Sequence, residues 1–269
     1  MSRPATQFDQ DIFFEPIDDG LFAGRVSENW SINETPDGGY IMAILANAIL
    51  GLSEKKTLSI LTANFISRCG PGKAEVSVEK IGATRSFERW MASLSQGGEK
   101  KVQALATLSD AGSGERRYEA APPDMPPPGE CVAIRDIPGF TLFENVDMRL
   151  DPDCAGWMWG KLSDRCEQRG WIRFRDERPL DPLSILLMAD AFPPPVMAKY
   201  GMVAWVPTLE LSVNIRSAPK TKWLKCVFRS RFNDSGLVDE DGELWDEEGR
   251  LAAISRQISQ FKKKQRDPQ

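Results

Sequence analysis

The sequence predicts an α+β fold in which two curved antiparallel sheets, each wrapped around a central helix, join into one broad sheet. Three observations carry this. The same order of elements, one apolar helix and then several strands, occurs on either side of a proline-rich stretch, "AAPPDMPPPGECVAIRDIPGF". Each helix is apolar on nearly every side, so a sheet that curls around it is the packing that buries it. The weak matches "ANAI" to "ADAF" and "LTANF" to "LSVNI" fall at corresponding places in the two halves, as an internal duplication requires.

In the first half the helix is "GGYIMAILANAILGL", and the strands run through "LSILTANFISR", "AEVSVEKIG", "SFERWMASLSQ" and "KVQALATLSD". In the second half the helix lies in "DPLSILLMADAFPPPV", followed by "PTLELSVNIRS", "WLKCVFRSRF", "GELWDEE" and "RLAAISRQISQF". The glycine-bearing segments "QGGE", "DEDGE" and "EEGR" read as hairpin turns. These elements divide the chain into a first unit over 1–115, an extended proline-rich linker over 116–137 and a second unit over 138–269.

Composition sets limits on function. With 41% hydrophobic and 27% charged residues in 269, the chain is globular, and a net charge of −5 gives no reason to expect nucleic acid as a partner. The basic end "FKKKQRDPQ" reads as a solvated terminus. The start "MSRPATQFDQDIFF" has no apolar signal core, and the longest greasy run, "YIMAILANAILGL", is far short of the ~20 residues that a membrane helix needs. Five cysteines without a C-x-x-C pair fit a reducing compartment, so the cytoplasm is expected and a zinc site is not. "DEDGELWDEEG" lacks calcium-loop spacing, and no nucleotide-binding glycine motif occurs. Most informative is the absence of any histidine. It removes Ser-His-Asp and Cys-His nucleophile systems and every histidine-ligated metal, leaving carboxylates, hydroxyls, amides and backbone N–H groups to do any chemistry.

One carboxylate stands out. Asp181 as N-cap, Pro182 at the first helical position and the prolines after Phe192 set the register of the second helix. That register puts Asp190 in its last turn, on the face of Leu183, Leu186 and Leu187. An anion there opposes the helix dipole and loses its hydration, so it requires a partner or a use.

The segments "TPDGGY", "IGATRSFERWMASLSQGG", "RPLDPLSILLMADAFPPPV", "WVPTLELSVNI" and "DEDGELWDEEGRLAAISRQIS" resemble the acyl-CoA thioesterase II group of double-hotdog proteins across nearly the whole chain outside the linker and tail. The resemblance implies a double hotdog, hydrolysis of acyl-CoA to a carboxylic acid and free coenzyme A, no cofactor, no metal and a homo-oligomer. It also implies an attacking water held by a helix Asp, a strand Thr and a Gln on a later strand, which fall here on Asp190, Thr208 and Gln257. Where family members carry a histidine in the strand after the helix, this chain has Asn64 in the first half and Leu211 and Asn214 in the second. The first half offers Asn47 against Asp190, Leu58 against Thr208 and Thr107 near the place of Gln257, so only one half carries the set.

The residues also admit plainer readings. Alternation groups Thr208 with Glu210, Ser212 and Asn214 on one polar strand face, where a threonine needs no special role. Gly38 and Gly39, followed by Tyr40, either let a thioester carbonyl or a phosphate reach helix N-terminal amides or merely permit a tight turn. Arg85 and Phe87 either meet coenzyme A or form a strand-start turn with a core ring. Two alternatives to hydrolysis stay open: a non-catalytic protein that binds acyl-CoA or another acyl ligand on the same fold, and a hydratase or dehydratase, against which the missing histidine counts.

Overall fold

The computed structural model describes residues 6–110 and 117–263. The boundary predicted between residues 115 and 116, and residues 264–269 of the basic tail, lie outside the described residues.

The first half begins with a short helix, α1 (Gln7–Asp11), and two strands, β1 (Glu15–Asp18) and β2 (Leu21–Val26). The long helix α2 (Gly38–Leu52) follows, and then β3 (Thr57–Phe65), β4 (Gly72–Ala83), β5 (Phe87–Gln96) and β6 (Glu99–Ser109). The second half contributes β7 (Val132–Ala133), β8 (Val146–Leu150) and β9 (Glu167–Phe174), then helix α3 (Pro182–Met188). It closes with β10 (Thr208–Ile215), β11 (Leu224–Arg229), β12 (Leu237–Asp246) and β13 (Leu251–Gln260). All join one 14-stranded antiparallel sheet in the order β1-β2-β4-β5-β6-β3-β10-β13-β12-β11-β9-β8-β7, with Asn233–Asp234 pairing beside β12. This is the predicted double hotdog. The halves meet where β3 pairs β10, and there the hydroxyls of Thr62 and Ser212 lie 2.7 Å apart.

Apolar periodicity explains the layering. In α2, 10 of 15 residues are buried, from Gly39 to Ile49, so the helix has no solvent face to speak of and the sheet must wrap it. Inward positions of β6 (Val102, Ala104, Ala106, Leu108) alternate with outward ones, as a half-buried strand requires. A single hydrophobic core runs through both halves and includes Phe8, whose ring packs 5.2 Å from both Trp30 and Phe174. The predicted linker is not free along its described length. Trp171 donates to the Pro126 carbonyl at 2.8 Å, and Arg149 donates to that of Pro128 at 3.2 Å, pinning the prolines on the outer edge of the second half.

Two of the three predicted turns are turns: Gly97, Gly98 and Gly249 take positive φ of 59°, 79° and 77°. "DEDGE" is not. It lies inside β12, and the hairpin turns instead at Ser235 and Gly236, with φ of 53° and 76°. Gly242 is a glycine for packing reasons: a Cβ there would lie 2.2 Å from Ser255 Oγ and 2.6 Å from the Phe228 ring.

Candidate active site

Helix α3 begins as its sequence dictates. Asp181 accepts from the Ser184 amide at 2.8 Å while its own N–H donates to Ser184 Oγ at 2.7 Å, with Pro182 in the first turn. It ends sooner than expected. The last helical residue is Met188, Ala189 caps it, and the Asp190 N–H donates to Leu187 O at 3.1 Å in a tighter turn. Asp190 therefore lies just beyond the helix and not in its last turn on the leucine stripe.

The carboxylate's partners come from the other half of the chain. Asp190 Oδ2 accepts from the Gly39 N–H at 3.1 Å, and the adjacent Gly38 amide also favours the charged carboxylate. Asp190 thus caps the positive end of the 15-residue α2, which compensates the negative end of its own short helix. The glycines are required for this approach. A Cβ at Gly39 would lie 2.2 Å from Leu186 O, and one at Gly38 would lie 2.6 Å from Asp190 Oδ2. Loss of hydration raises the Asp190 pKa, and the amides of Gly39 and Gly38 with the Gln257 side chain pull it back, leaving a net upward shift. Asp37, the N-cap of α2, accepts from the Tyr40 N–H at 3.0 Å; burial, and then the nearby Asp190 charge, push its own pKa much further up. Burial thus raises the pKa of both carboxyls in this pair, so the two together hold a proton more readily than free carboxylates do.

Strand register supplies the other two groups. A bulge at Leu209 interrupts the β10–β13 ladder, with Thr208 opposite Ser259, Glu210 opposite Ile258 and Leu211 opposite Gln257. The extra residue turns Thr208 onto the inner face with Leu211, whereas simple alternation grouped it with Glu210, Ser212 and Asn214. Gln257 Nε2 donates to Thr208 Oγ1 at 2.6 Å and lies 3.1 Å from Ser259 Oγ. Since Thr208 Oγ1 accepts from the amide, its own proton is available for another acceptor. Gln257 and Thr208 are thereby linked side chain to side chain, and the Gln257 side chain acts on the nearby Asp190 by lowering its pKa. Next to them Gln257, Ser259, Glu240, Pro194, Pro195 and Val206 line a cavity of about 10 Å³, the space of one water.

The other sequence candidates part company with this cluster. Gly38 and Gly39 belong to it, with their amides engaged by Asp190. Tyr40 does not offer a substrate contact: it is fully buried, and its hydroxyl donates to Asp11 O at 2.9 Å and accepts from Ser27 N at 3.0 Å. Arg85 and Phe87 are also not brought to Asp190. Phe87 pairs with Ser109, which pairs with Thr57, whereas the Thr208 end of β10 adjoins Asn64 at the far end of β3. The counterpart of Gln257 in the first half is Ala106, opposite Leu61 in a ladder with the same bulge, and not Thr107, which faces outward.

Three residues of the cluster escaped the sequence reading. Asp37 was legible as an N-cap before "GGY". Ser259 follows from alternation with Gln257. Glu240 was hidden because "DEDGE" looked like a turn. Among the described residues, these acids do not converge as a metal-ligand set, and no helix is long and apolar enough to cross a membrane.

Fold and cluster together define a hotdog protein with one acid-amide-hydroxyl centre, and comparison with known proteins supplies the family. Residues 26–109 match the acyl-CoA thioesterase N-terminal domain family, and residues 116–261 match the acyl-CoA thioesterase C-terminal domain family. The chain belongs to the acyl-CoA thioesterase family. An uncharacterized protein of Mycobacterium tuberculosis is 26% identical, the match covering 89% of this chain and 90% of that protein. A candidate thioesterase II from Thermobifida fusca superposes with a TM-score of 0.88 at 25% identity, covering 96% of this chain and 98% of that one. A conserved protein of unknown function with a hot dog fold, from Alicyclobacillus acidocaldarius, has a TM-score of 0.88 at 23% identity over 96% and 99%.

Proposed function

We propose that this protein hydrolyses an acyl-CoA thioester to a carboxylic acid and free coenzyme A, with Asp190 as base and Thr208 and Gln257 as the groups that orient the water. The hydrogen-bonded carboxamide and hydroxyl of Gln257 and Thr208, the nearby Asp190 carboxylate of raised pKa, and the one-water cavity that Gln257 lines carry this reading. Asp190 takes a proton from the water as its oxygen adds to the thioester carbonyl carbon. The C–O double bond opens to an oxyanion, which then re-forms the carbonyl as the C–S bond breaks, and the departing thiolate takes up the proton held by Asp190, restoring the carboxylate. A thiolate of pKa about 8.5 leaves without a strong acid, so the work of the site is to place and polarise water. The Thr208 hydroxyl and Gln257 N–H groups are suited to that and to the developing negative charge. No histidine, metal or cofactor enters these steps. A cytoplasmic setting fits the five free cysteines, and self-association through sheet surfaces is the assembly proposed.

The test is free-thiol release from an acyl-CoA series of increasing chain length, run with the wild type and Asp190→Asn. Release that depends on Asp190 supports hydrolysis. Tight acyl-CoA binding without release in either protein would instead establish the non-catalytic binding protein.

A further inference from the structure

Glu240 faces the same cavity and has no role in the mechanism above. Its strand register puts it directly opposite Gln257 on the inner face of the sheet, and both line the one-water cavity. Side chains so placed lie about 5 Å apart at their Cβ atoms, within reach directly or through one water. The two ends of the Gln257 carboxamide are unequally served. Nε2 donates to Thr208 at 2.6 Å and lies 3.1 Å from Ser259 Oγ, while among the described residues no donor reaches Oε1. Among those residues Glu240 likewise has no hydrogen-bond partner. The first half has the apolar pair Trp90 and Ala106 at these two positions.

We propose that Glu240 is a positioning residue: its carboxyl group donates to Gln257 Oε1 through a water in the cavity they share and so keeps Nε2 aimed at Thr208. This rests on the hydrolase reading for its consequence in catalysis, though not for its structural content. A protonated carboxyl can donate to Oε1, whereas a carboxylate attracts Nε2, repels Oε1 and favours the flipped amide. The surroundings favour the neutral acid. Burial, and then the charges of Asp190, Asp239 and Asp241, push the Glu240 pKa well up. Asp241 is answered by Arg231 at 2.5 Å and Arg256 at 3.0 Å, and Asp239 accepts from the amides of Arg231 and Phe232. The facing wall is Pro194, Pro195, Val196 and Val206, which bring no charge, and no ion pair reaches Glu240 among the described residues.

The experiment follows kcat and KM for thiol release against pH in the wild type, Glu240→Gln and Glu240→Leu. The Gln257 side-chain amide resonances are followed over the same range by NMR. In the wild type, alkaline pH lowers kcat with KM little changed, and the Gln257 amide signals shift in step. Glu240→Gln keeps a neutral donor, retains kcat near neutrality and loses both the alkaline decline and the amide shift. Glu240→Leu lowers kcat about tenfold at all pH values, less than loss of a direct oxyanion donor. If the wild-type amide signals do not move with pH, or move identically in Glu240→Gln, the Glu240 assignment is wrong. If they move as expected while thiol release proves independent of Asp190, Glu240 still positions Gln257 and the hydrolase reading is what fails.

Discussion

The two halves of this protein share one inner-face register and fill it with opposite chemistry. In the first half Leu58, Leu108, Ala106 and Trp90 occupy the positions that Thr208, Ser259, Gln257 and Glu240 hold in the second, and each ladder carries the same bulge, at Ser59 and at Leu209. The backbone device that aims residues inward is thus present twice, and side chains alone decide which copy can hold a water. The helices differ in step. α2 runs unbroken past Asn47, whose amide donates to Ile12 O at 3.2 Å, while α3 stops at Met188 and frees Asp190 to reach α2. The first half is therefore a packed support that lends the second its helix N-terminus.

Making the second half resemble the first breaks that asymmetry. Asp190→Asn reproduces Asn47 and is expected to lower kcat for thiol release about 10³-fold, within the range of a general base. With Asp190 as the proposed base, its ionised form is the active one and its pKa is raised, so activity is expected to climb with pH through a midpoint above that of ordinary carboxylates, about 3.9. A pH-rate profile that stays flat down to that value contradicts this role. Next in size, Thr208→Leu and Gln257→Ala install the first-half residues and are expected to cost about 10²-fold each. The double variant should lose less than the product of the two, because both groups act on one water. Steady-state kinetics of the four proteins checks this.

Support from the first half is tested by Gly39→Ala. A methyl 2.2 Å from Leu186 O forces the helices apart, with an expected loss of about 1–3 kcal/mol in urea unfolding and weaker activity as the Asp190 contact lengthens. The smallest effect concerns Glu88, the first-half counterpart of Val238. Hydrogen bonds from Lys80 and then Ser53 hold its carboxyl down to about 2 from 4.5. Its contribution is full above pH 4.5 and is lost as pH falls through about 2. Unfolding midpoints measured across that interval should decline less steeply for Glu88→Gln than for the wild type.

How much of this was legible follows from the range of each interaction. Helix α2 spans the segment read from the sequence, residue for residue, and the caps Asp181 and Pro182 start α3 where expected, because caps and apolar periodicity involve neighbours in the chain. The duplicated order of elements made the joined sheets readable for the same reason. The lack of histidine and the oddity of Asp190 narrowed the chemistry before any contact was known.

Long-range packing decided the rest. Asp190 owes its setting to amides 151 residues away, and no local pattern reports that contact. The bulge that turns Thr208 inward is a property of the pairing of β10 with β13, so alternation alone assigned the wrong face. Glu240 and Gly242 look like a turn until Gln257 pairs opposite the first and Phe228 and Ser255 pack against the second. The sequence by itself determined the elements, their order and the groups available for chemistry; tertiary structure chose which of those groups meet, because register and helix contact join residues that are distant along the chain.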